Sequence, residues 1–360
     1  MLSFFGSLWG TNPPPMFGLD VSPSGMKLVE LDRDRSGKFV LSRLEFEPLA
    51  SGLIVDGQFE VMEELAAAVR RLVSRSRTKT RRVALAVPAS AVITRAMVVP
   101  AGLREEEVEL QIENDLRTSV SVSVEEVSVD FCATGSRLAS PDDLEVMVAM
   151  CRKERVESYQ VLAEAAGLEP IVLDIESYAS RLALSRWAEG LPPQEKPAVI
   201  ALFEIGGEGS AFTVLGGDDV LYDREQAFGG GQLTRLIARH YDLGVEEAER
   251  MKLNGTLPPS YFAGVHEPFV DSLAQEIGKA LQYFFTSTSH HKVDHVLLAG
   301  GTATLAGLAD RVREVTGFDT QVVNPFGLMS LARTVSPQLL KHGAPAYLTA
   351  CGLAMRRFFS

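Results

Sequence analysis

The sequence predicts an α/β protein of two similar lobes, with a small α+β unit inserted into the first. Three observations carry this reading. The segment GLDVSPSGMKLVEL (18–31) lies over LFEIGGEGSAFTVL (202–215) without a gap. Asp20 then meets Glu204, Val21 meets Ile205, Gly25 meets Gly209 and Leu31 meets Leu215. Each copy is an apolar strand ending in an acid, a turn of small residues and a second apolar strand, and a repeat of that kind indicates duplicated architecture. The stretch between the copies reads β-α-β-β-α-β, the order of a small α+β unit interrupting a larger fold. Finally, 360 residues are enough for two sizeable cores.

In chain order, MLSFFGSLWG has neither a basic start nor a long apolar core, so it does not read as a secretion signal. Its aromatics Phe4, Phe5 and Trp9 suit a membrane or partner contact, and equally a floppy or self-packed terminus. Pro13, Pro14 and Pro15 form a stiff spacer, closing a tail over 1–15. The first lobe spans 16–88. Strands are expected at 16–22, 26–32 and 38–46, the first two joined by a turn at Pro23, Ser24 and Gly25. A helix over 57–74 sets Val61, Leu65, Ala68 and Leu72 on one face, and the apolar run 82–88 is a buried strand stopped by Pro88.

The inserted unit is expected over 89–174. It holds the strand ITRAMVVP, then a helix over 104–117 with Val108, Ile112 and Leu116 four residues apart. Glu105, Glu106 and Glu107 sit in its first turn, where the helix dipole favours anions. The strands VSVDFCAT and LEVMVAM follow, then a helix over 152–166 ending at Gly167, and PIVLDI closes the unit. Residues 175–196 return to the first lobe and lead through the linker GLPPQEKP. The second lobe begins over 197–233 with the repeated hairpin and a triple glycine opening a helix. An outer part follows over 234–292, where a long helix, 268–288, aligns Leu273, Ile277, Ala280, Leu281 and Phe284. Residues 293–360 complete the second lobe with the buried strand 293–299, the turn Gly300–Gly301, a helix and a short strand at 319–323, then return to the first.

Composition narrows the function classes. A net charge of −12 argues against extended nucleic-acid binding, because phosphate backbones repel an acidic surface. The exception, RRLVSRSRTKTRR at 70–82, reads as a basic helix end with a solvated loop, or as a contact for anionic lipid or an acidic partner. Cys132, Cys151 and Cys351 show neither metal spacing nor a disulfide framework, which suits a reducing cytoplasm. No apolar run reaches the roughly 20 residues that span a bilayer.

Two hairpins with small turn residues make a phosphate clamp, because backbone N–H groups approach phosphate oxygens only where side chains are small. Ser22, Ser24 and Gly25 meet that demand in the first copy; Gly206, Gly207, Gly209 and Ser210 meet it in the second. Asp20 and Glu204, ahead of the turns, are placed to hold Mg²⁺ through water, since that ion takes one or two carboxylates plus phosphates; each also suits a plain turn residue. Gly300 and Gly301 let a ligand approach the carboxyl end of a buried strand, and equally suit a plain left-handed turn. Glu276 and Lys279 on the long helix read either as an exposed ion pair or as contacts to a ribose or base edge. Lys27, Gly230, Gln232 and Thr302 complete the candidate nucleotide set.

Taken in order, the first phosphate hairpin, connecting helix, second phosphate hairpin and glycine pair resemble the actin-like ATPases over 16–357. The resemblance implies duplicated ribonuclease-H-like lobes whose subdomains 1A and 2A grip ATP and Mg²⁺ between them. EIGKALQYF resembles the adenosine-contacting helix of DnaK-type chaperones, which implies that Glu276 and Lys279 face the nucleoside. The inserted unit resembles the 1C subdomain of the FtsA and PilM families. AGLREEEVELQIENDL, HVLLAGGTATLAGLADRVREVTGF, VVNPF and APAYLTACGLAMRRF resemble the PilM family over nearly the whole chain.

That resemblance implies a cytoplasmic, ATP-binding adaptor of the type IV pilus inner-membrane platform. Its partner is the cytoplasmic tail of a PilN-type membrane protein, held between 1A and 1C in the region of Val108, Ile112 and Leu116. Other platform or motor proteins are further partners, membrane association is indirect, and self-association stays open. Two departures stand out: Glu204 replaces the family's usual aspartate, and RTSVSVSVEEV lacks its usual aromatic and prolines. Glu176 matches the water-positioning glutamate of MreB- and FtsA-like proteins, and equally suits an ordinary acid in a helix's first turn. The adaptor reading, with slow or absent hydrolysis, therefore stands beside a true ATPase and an FtsA-like membrane-associated filament. For the filament, the ending AMRRFFS is short for a membrane anchor. A sugar or acetate kinase of the same superfold lacks a candidate substrate acid.

Overall fold

The computed structural model describes residues 13–119, 124–134, 142–191, 198–217 and 219–359. Phe4, Phe5 and Trp9, most of the linker, and part of RTSVSVSVEEV lie outside these residues.

The first lobe opens on an antiparallel meander, β1 (Phe17–Ser22), β2 (Gly25–Arg33) and β3 (Phe39–Pro48). A short hairpin of β4 (Ile54–Val55) and β5 (Gln58–Phe59) precedes α1 (Met62–Ser76), so the helix starts later than its apolar spacing suggested. Next, β6 (Arg82–Val87) runs parallel to β1. The inserted unit comprises β7 (Val92–Pro100), α2 (Glu105–Ser119), β8 (Val127–Ala133) and β9 (Asp143–Arg152). Its strands form a separate sheet in the order β7-β9-β8.

Two elements expected in that unit belong to the first lobe. The helix α3 (Lys153–Ala165) packs Tyr159, Leu162 and Ala163 with Leu65 and Val69 of α1. The strand β10 (Glu169–Ile175), which contains PIVLDI, pairs parallel with β6 rather than with the small sheet. The correction has a simple cause: an apolar strand reads the same whichever sheet buries it. The inserted unit thus ends at β9.

Next, α4 (Glu176–Glu189) leads out of the first lobe. The second lobe repeats the plan with β11 (Val199–Ile205), β12 (Ser210–Gly216) and β13 (Asp219–Gln226), then α5 (Gly230–Tyr241) and α6 (Val245–Asn254). It continues through α7 (Glu267–Ser287), β14 (His295–Ala299), α8 (Leu308–Thr316) and β15 (Thr320–Val322). β16 (Ser330–Leu331), α9 (Pro337–Gly343) and α10 (Leu348–Met355) follow.

The sheet orders bear out the repeat. The first lobe runs β10-β6-β1-β2-β3-β16 and the second β13-β12-β11-β14-β15. In both, the hairpin strand after the acid lies beside the meander's first strand, and the next strand in the sheet runs parallel to that first strand.

The last helix ties the chain together. α10 is buried throughout and wedges against α4 and β1. At Gly352 a Cβ would run into the carbonyl of Ala179, and at Gly18 into the backbone of Ala350 and Ala354, so only glycine lets these segments approach so closely. Arg356 grips Asp174 at 2.5 and 2.9 Å, and Arg357 reaches Asp32 at 2.9 Å. Among the described residues, no helix is long and apolar enough to cross a membrane.

Candidate functional site

The two hairpin turns meet. A Cβ built on Gly207 would lie 3.2 Å from the Cβ of Ser24, so the tip of the first turn abuts the tip of the second. This follows from the fold: β1 and β11 are the central strands of their sheets, and both deliver their carboxyl ends to one crevice between the lobes.

The first turn is braced by Ser22, whose hydroxyl donates to the Gly25 carbonyl at 2.7 Å. A Cβ on Gly25 would come within 2.7 Å of the Glu47 carbonyl oxygen, so a glycine is needed there. Across the hairpin from Asp20 stands Lys27, whose ammonium donates to it at 2.7 Å.

The second turn is held from two further directions. Gly230 N donates to Gly206 O at 2.9 Å, Gly231 N to Gly207 O at 2.7 Å and Thr302 Oγ1 to Gly206 O at 2.9 Å. Ser210 Oγ donates to Phe228 O at 2.5 Å and Gln232 Nε2 to Ala227 O at 3.1 Å. A Cβ on Gly230 would collide with the Thr302 hydroxyl, which is why the chain carries glycine where α5 begins. Gly300 has a φ of +86° and sits against the Ile205 backbone, whereas Gly301 faces open space. Hence the second hairpin, the triple glycine and the glycine pair, far apart in sequence, form one small-residue surface.

Carboxylates line the crevice behind the turns. Glu204 accepts from Thr349 Oγ1 at 2.9 Å, and Ser180 Oγ lies 3.1 Å from that same hydroxyl. Desolvation pushes Glu204 up to about 7, against the lowering effect of the two hydroxyls. Glu176, the first residue of α4, is held well above the usual carboxylate range by desolvation, then by the neighbouring charges of Asp20, Glu204 and Glu225. Glu225, at the end of β13, accepts from Ser90 Oγ at 2.5 Å. Glu225 and Ser90 had no signal in the sequence: one is an acid in an ordinary-looking polar strand, the other a serine after Pro88. Among the described residues, no three His, Cys, Asp or Glu side chains are grouped to hold a metal ion by themselves.

Glu276 and Lys279 pair with each other at 2.7 Å on the exposed face of α7. Val108, Ile112 and Leu116, expected near a partner tail, are the core of the inserted unit instead. They are buried with Val99, Val146, Val148 and Met150. The reason is the usual one for a four-residue apolar stripe, which packs on its own sheet. Leu116 does border a cleft of about 480 Å³ between the inserted unit and the first lobe. The apolar surface of that cleft comes from Phe59, Ile93, Val127 and Met150, and its polar lining from Gln58, Arg152, Glu154, Arg155 and Ser158.

Duplicated meander lobes with facing small-residue turns define an actin-like ATPase fold. Solved structures agree. The PilM-PilN type IV pilus biogenesis complex superposes with a TM-score of 0.78 at 27% identity, covering 96% of this chain and 99% of that one. Two further structures share the fold. The ethanolamine utilization protein EutJ from Carboxydothermus hydrogenoformans matches with a TM-score of 0.57 at 18% identity, covering 95% of this chain and 90% of its own. A diol dehydratase-reactivating factor matches with 0.54 at 9%, covering 95% and 99%. The family model for the type IV pilus assembly protein PilM matches residues 18–358, and the chain belongs to that family.

Proposed function

We propose that the chain is a nucleotide-loaded adaptor of type IV pilus assembly, which holds the cytoplasmic tail of a PilN-type inner-membrane protein in the cleft bordered by Ile93 and Leu116. The observation that carries this reading is the likeness, over nearly both full lengths, to a chain solved in a PilM-PilN complex. An open cleft of mixed apolar and polar lining between the first lobe and the inserted unit suits an extended peptide that alternates apolar anchors with polar groups. The chain works from the cytoplasmic side, reaching the inner membrane through this partner.

The nucleotide is ATP with Mg²⁺, bound in the crevice. Backbone N–H groups of the two turns, with Ser22, Ser24, Gly25, Gly206, Gly207, Gly209 and Ser210, would cradle its phosphates. The open face of Gly301 leaves room for the nucleoside beside Gly300 and Thr302. Asp20 and Glu204 would hold the ion through its water shell. When bound, the ion neutralises phosphate charge. The chain's own part is to present the turns, with Lys27 balancing Asp20 and the Thr349 hydroxyl orienting Glu204. Glu176 neighbours the same carboxylates and is the residue of this crevice that would position water.

Calorimetry separates the two halves of the proposal. Gly301→Val adds a side chain where the protein has nothing within 4 Å, so the fold should stand while Mg·ATP binding falls at least tenfold. Ile93→Asp, on an exposed cleft residue, should abolish binding of a synthetic PilN tail peptide and leave Mg·ATP binding unchanged. Undiminished nucleotide affinity in the first variant would refute the crevice assignment, and undiminished peptide affinity in the second would refute the cleft.

A further inference from the structure

The basic run at 70–82 divides in two on folding. Its helical half is neutralised within the lobe: Arg70 pairs with Glu63 at 2.8 Å, Arg71 with Glu47 at 2.6 Å, and Arg75 with Glu45 and Glu47. The second half is left open. Arg77, the left-handed cap of α1, and Lys79 and Arg81 in the loop after it are exposed and form no ion pair among the described residues. A chain with 47 acids to 35 lysines and arginines has carboxylates to spare. Unpaired cations gathered in one place are therefore a charged surface kept free, not a shortage of partners.

The sheet register shows what lies beside this loop. Phe17 pairs with Val83 on one side and Glu30 on the other, so β1 begins where β6 begins and where β2 nears its end. One end of the first-lobe sheet thus carries the 77–81 loop, residues 13–16, Arg33 at the end of β2, and the turn 34–38 with the exposed Arg35 and Lys38. The strands β6 and β2 flank β1, which sets them roughly 10 Å apart. Acids are fewer here. Asp32 is taken by Arg357, Asp34 accepts from Ser36 and the Lys38 amide, and Glu169 stands beside Arg82.

Apolar groups sit among these cations. The Arg33 guanidinium lies 4.7 Å from the ring centre of Phe358 and 4.9 Å from that of Phe39, and Phe359, 37% exposed, stands beside them. The N-terminal segment also leaves from this end: Thr80 Oγ1 donates to Pro15 O at 2.7 Å and Arg357 Nε to Pro13 O at 3.0 Å. The residues before Pro13, MLSFFGSLWGTN, include Leu2, Phe4, Phe5, Leu8 and Trp9 and no charged side chain.

We propose that this end of the first lobe is a docking surface for an anionic lipid bilayer. Arg33, Arg35, Lys38, Arg77, Lys79 and Arg81 meet the headgroups, while Phe359 and the uncharged aromatic segment supply the apolar component. A basic patch alone or a few apolar side chains alone hold a bilayer weakly; the two together hold a protein at the interface. The apolar groups beside the cations favour a bilayer over an acidic protein segment, for which the cations would suffice. The surface lies at the opposite end of β1 from the Ser22–Gly25 turn and outside the cleft bordered by Ile93 and Leu116. Lipid contact is thus additional to attachment through a membrane partner and uses none of the residues assigned to nucleotide or tail.

Vesicle flotation of the full chain, with no partner present, tests this. The chain should float with vesicles of phosphatidylcholine and phosphatidylglycerol, stay behind with phosphatidylcholine alone, and be released from the former by high salt. Each cation lost near an anionic leaflet costs roughly fivefold in partitioning. The triple variant Arg77→Glu, Lys79→Glu, Arg81→Glu should therefore lose about a hundredfold or more, while its melting temperature and Mg·ATP affinity stay as in the parent. Phe359→Ser should weaken flotation several-fold at unchanged charge. Should the triple reversal fail to fold, the double neutralisation Arg77→Gln, Lys79→Gln carries the test, with an expected loss of about twentyfold. Equal flotation with neutral vesicles, none with anionic ones, or flotation unchanged in the folded variants would overturn the proposal. Binding of a soluble polyglutamate peptide without vesicle binding would do the same and would name an acidic protein segment as the partner.

Discussion

The two hairpins share a backbone and differ in how each keeps its acid. In the first, Asp20 stands opposite Lys27 across the strand pair; in the second, the equivalent Glu204 stands opposite Ala211. The first acid is therefore neutralised within its own lobe, by an ion pair with little exposure on either side. The second has no lysine opposite it and relies on Thr349 from the C-terminal helix, with Ser180 of α4 behind it. One hairpin is locally self-sufficient. The other is completed by residues from the far end of the chain, so its carboxylate reports on how the lobes and α10 sit together. Duplication preserved the shape of the turn and let its electrostatics diverge.

The largest effect should come from removing the first hairpin's own partner. Lys27→Ala leaves Asp20 in an 8%-exposed site without a cation, and breaking such a pair costs about 3 kcal/mol. Urea unfolding at neutral pH measures this, with Lys27→Met as the control that keeps the stem. A loss below about 1 kcal/mol would mean the ion pair is screened like a surface one, and the contrast between the hairpins would weaken.

Glu204→Gln should act in the opposite direction. A carboxyl whose folded value is raised to about 7 from an ordinary value near 4.5 holds its proton more tightly in the native state. Its contribution is thus complete at low pH and is lost as pH rises from about 4.5 through 7. The amide removes that penalty, so the variant should gain on the order of 1–3 kcal/mol over the parent at pH 8 and about nothing at pH 4. Melting curves across that range read the difference directly. A parent whose stability is flat over the window would show that Glu204 is ionised without strain, and the two acids would then be equivalent.

Much of this contrast was legible in the amino-acid sequence, and the limits have physical causes. The alignment of Asp20 with Glu204 is readable because a strand, an acid and a small-residue turn leave a local pattern. The cross-strand residues follow once the register is known. Thr349 is not readable, because α10 is small and apolar on every side, LTACGLAM, and a helix buried all round has no amphipathic period to betray it. The same blindness assigned PIVLDI to the inserted unit: periodicity says that a face is buried, not what buries it. Ser90 and Glu225 met only through folding, at a sequence distance no local pattern spans.

The smallest effect probes where the hairpins touch. Gly207→Ala would put a methyl group 3.2 Å from the Ser24 Cβ, closer than side chains normally sit, though with ordinary backbone angles. The turns must part by a few tenths of an ångström, which should cost no more than about 1 kcal/mol in stability. On a clamp the same shift matters more, because the backbone N–H groups of both turns must reach one set of phosphate oxygens. Mg·ATP affinity should therefore fall several-fold while the melting temperature hardly moves. The equivalent change on the outer side of the same turn, Gly209→Ala, meets only the Gln226 carbonyl at 3.3 Å and leaves Ser24 untouched. If the two substitutions weaken nucleotide equally, contact between the turn tips is incidental to binding, and each hairpin grips the ligand alone.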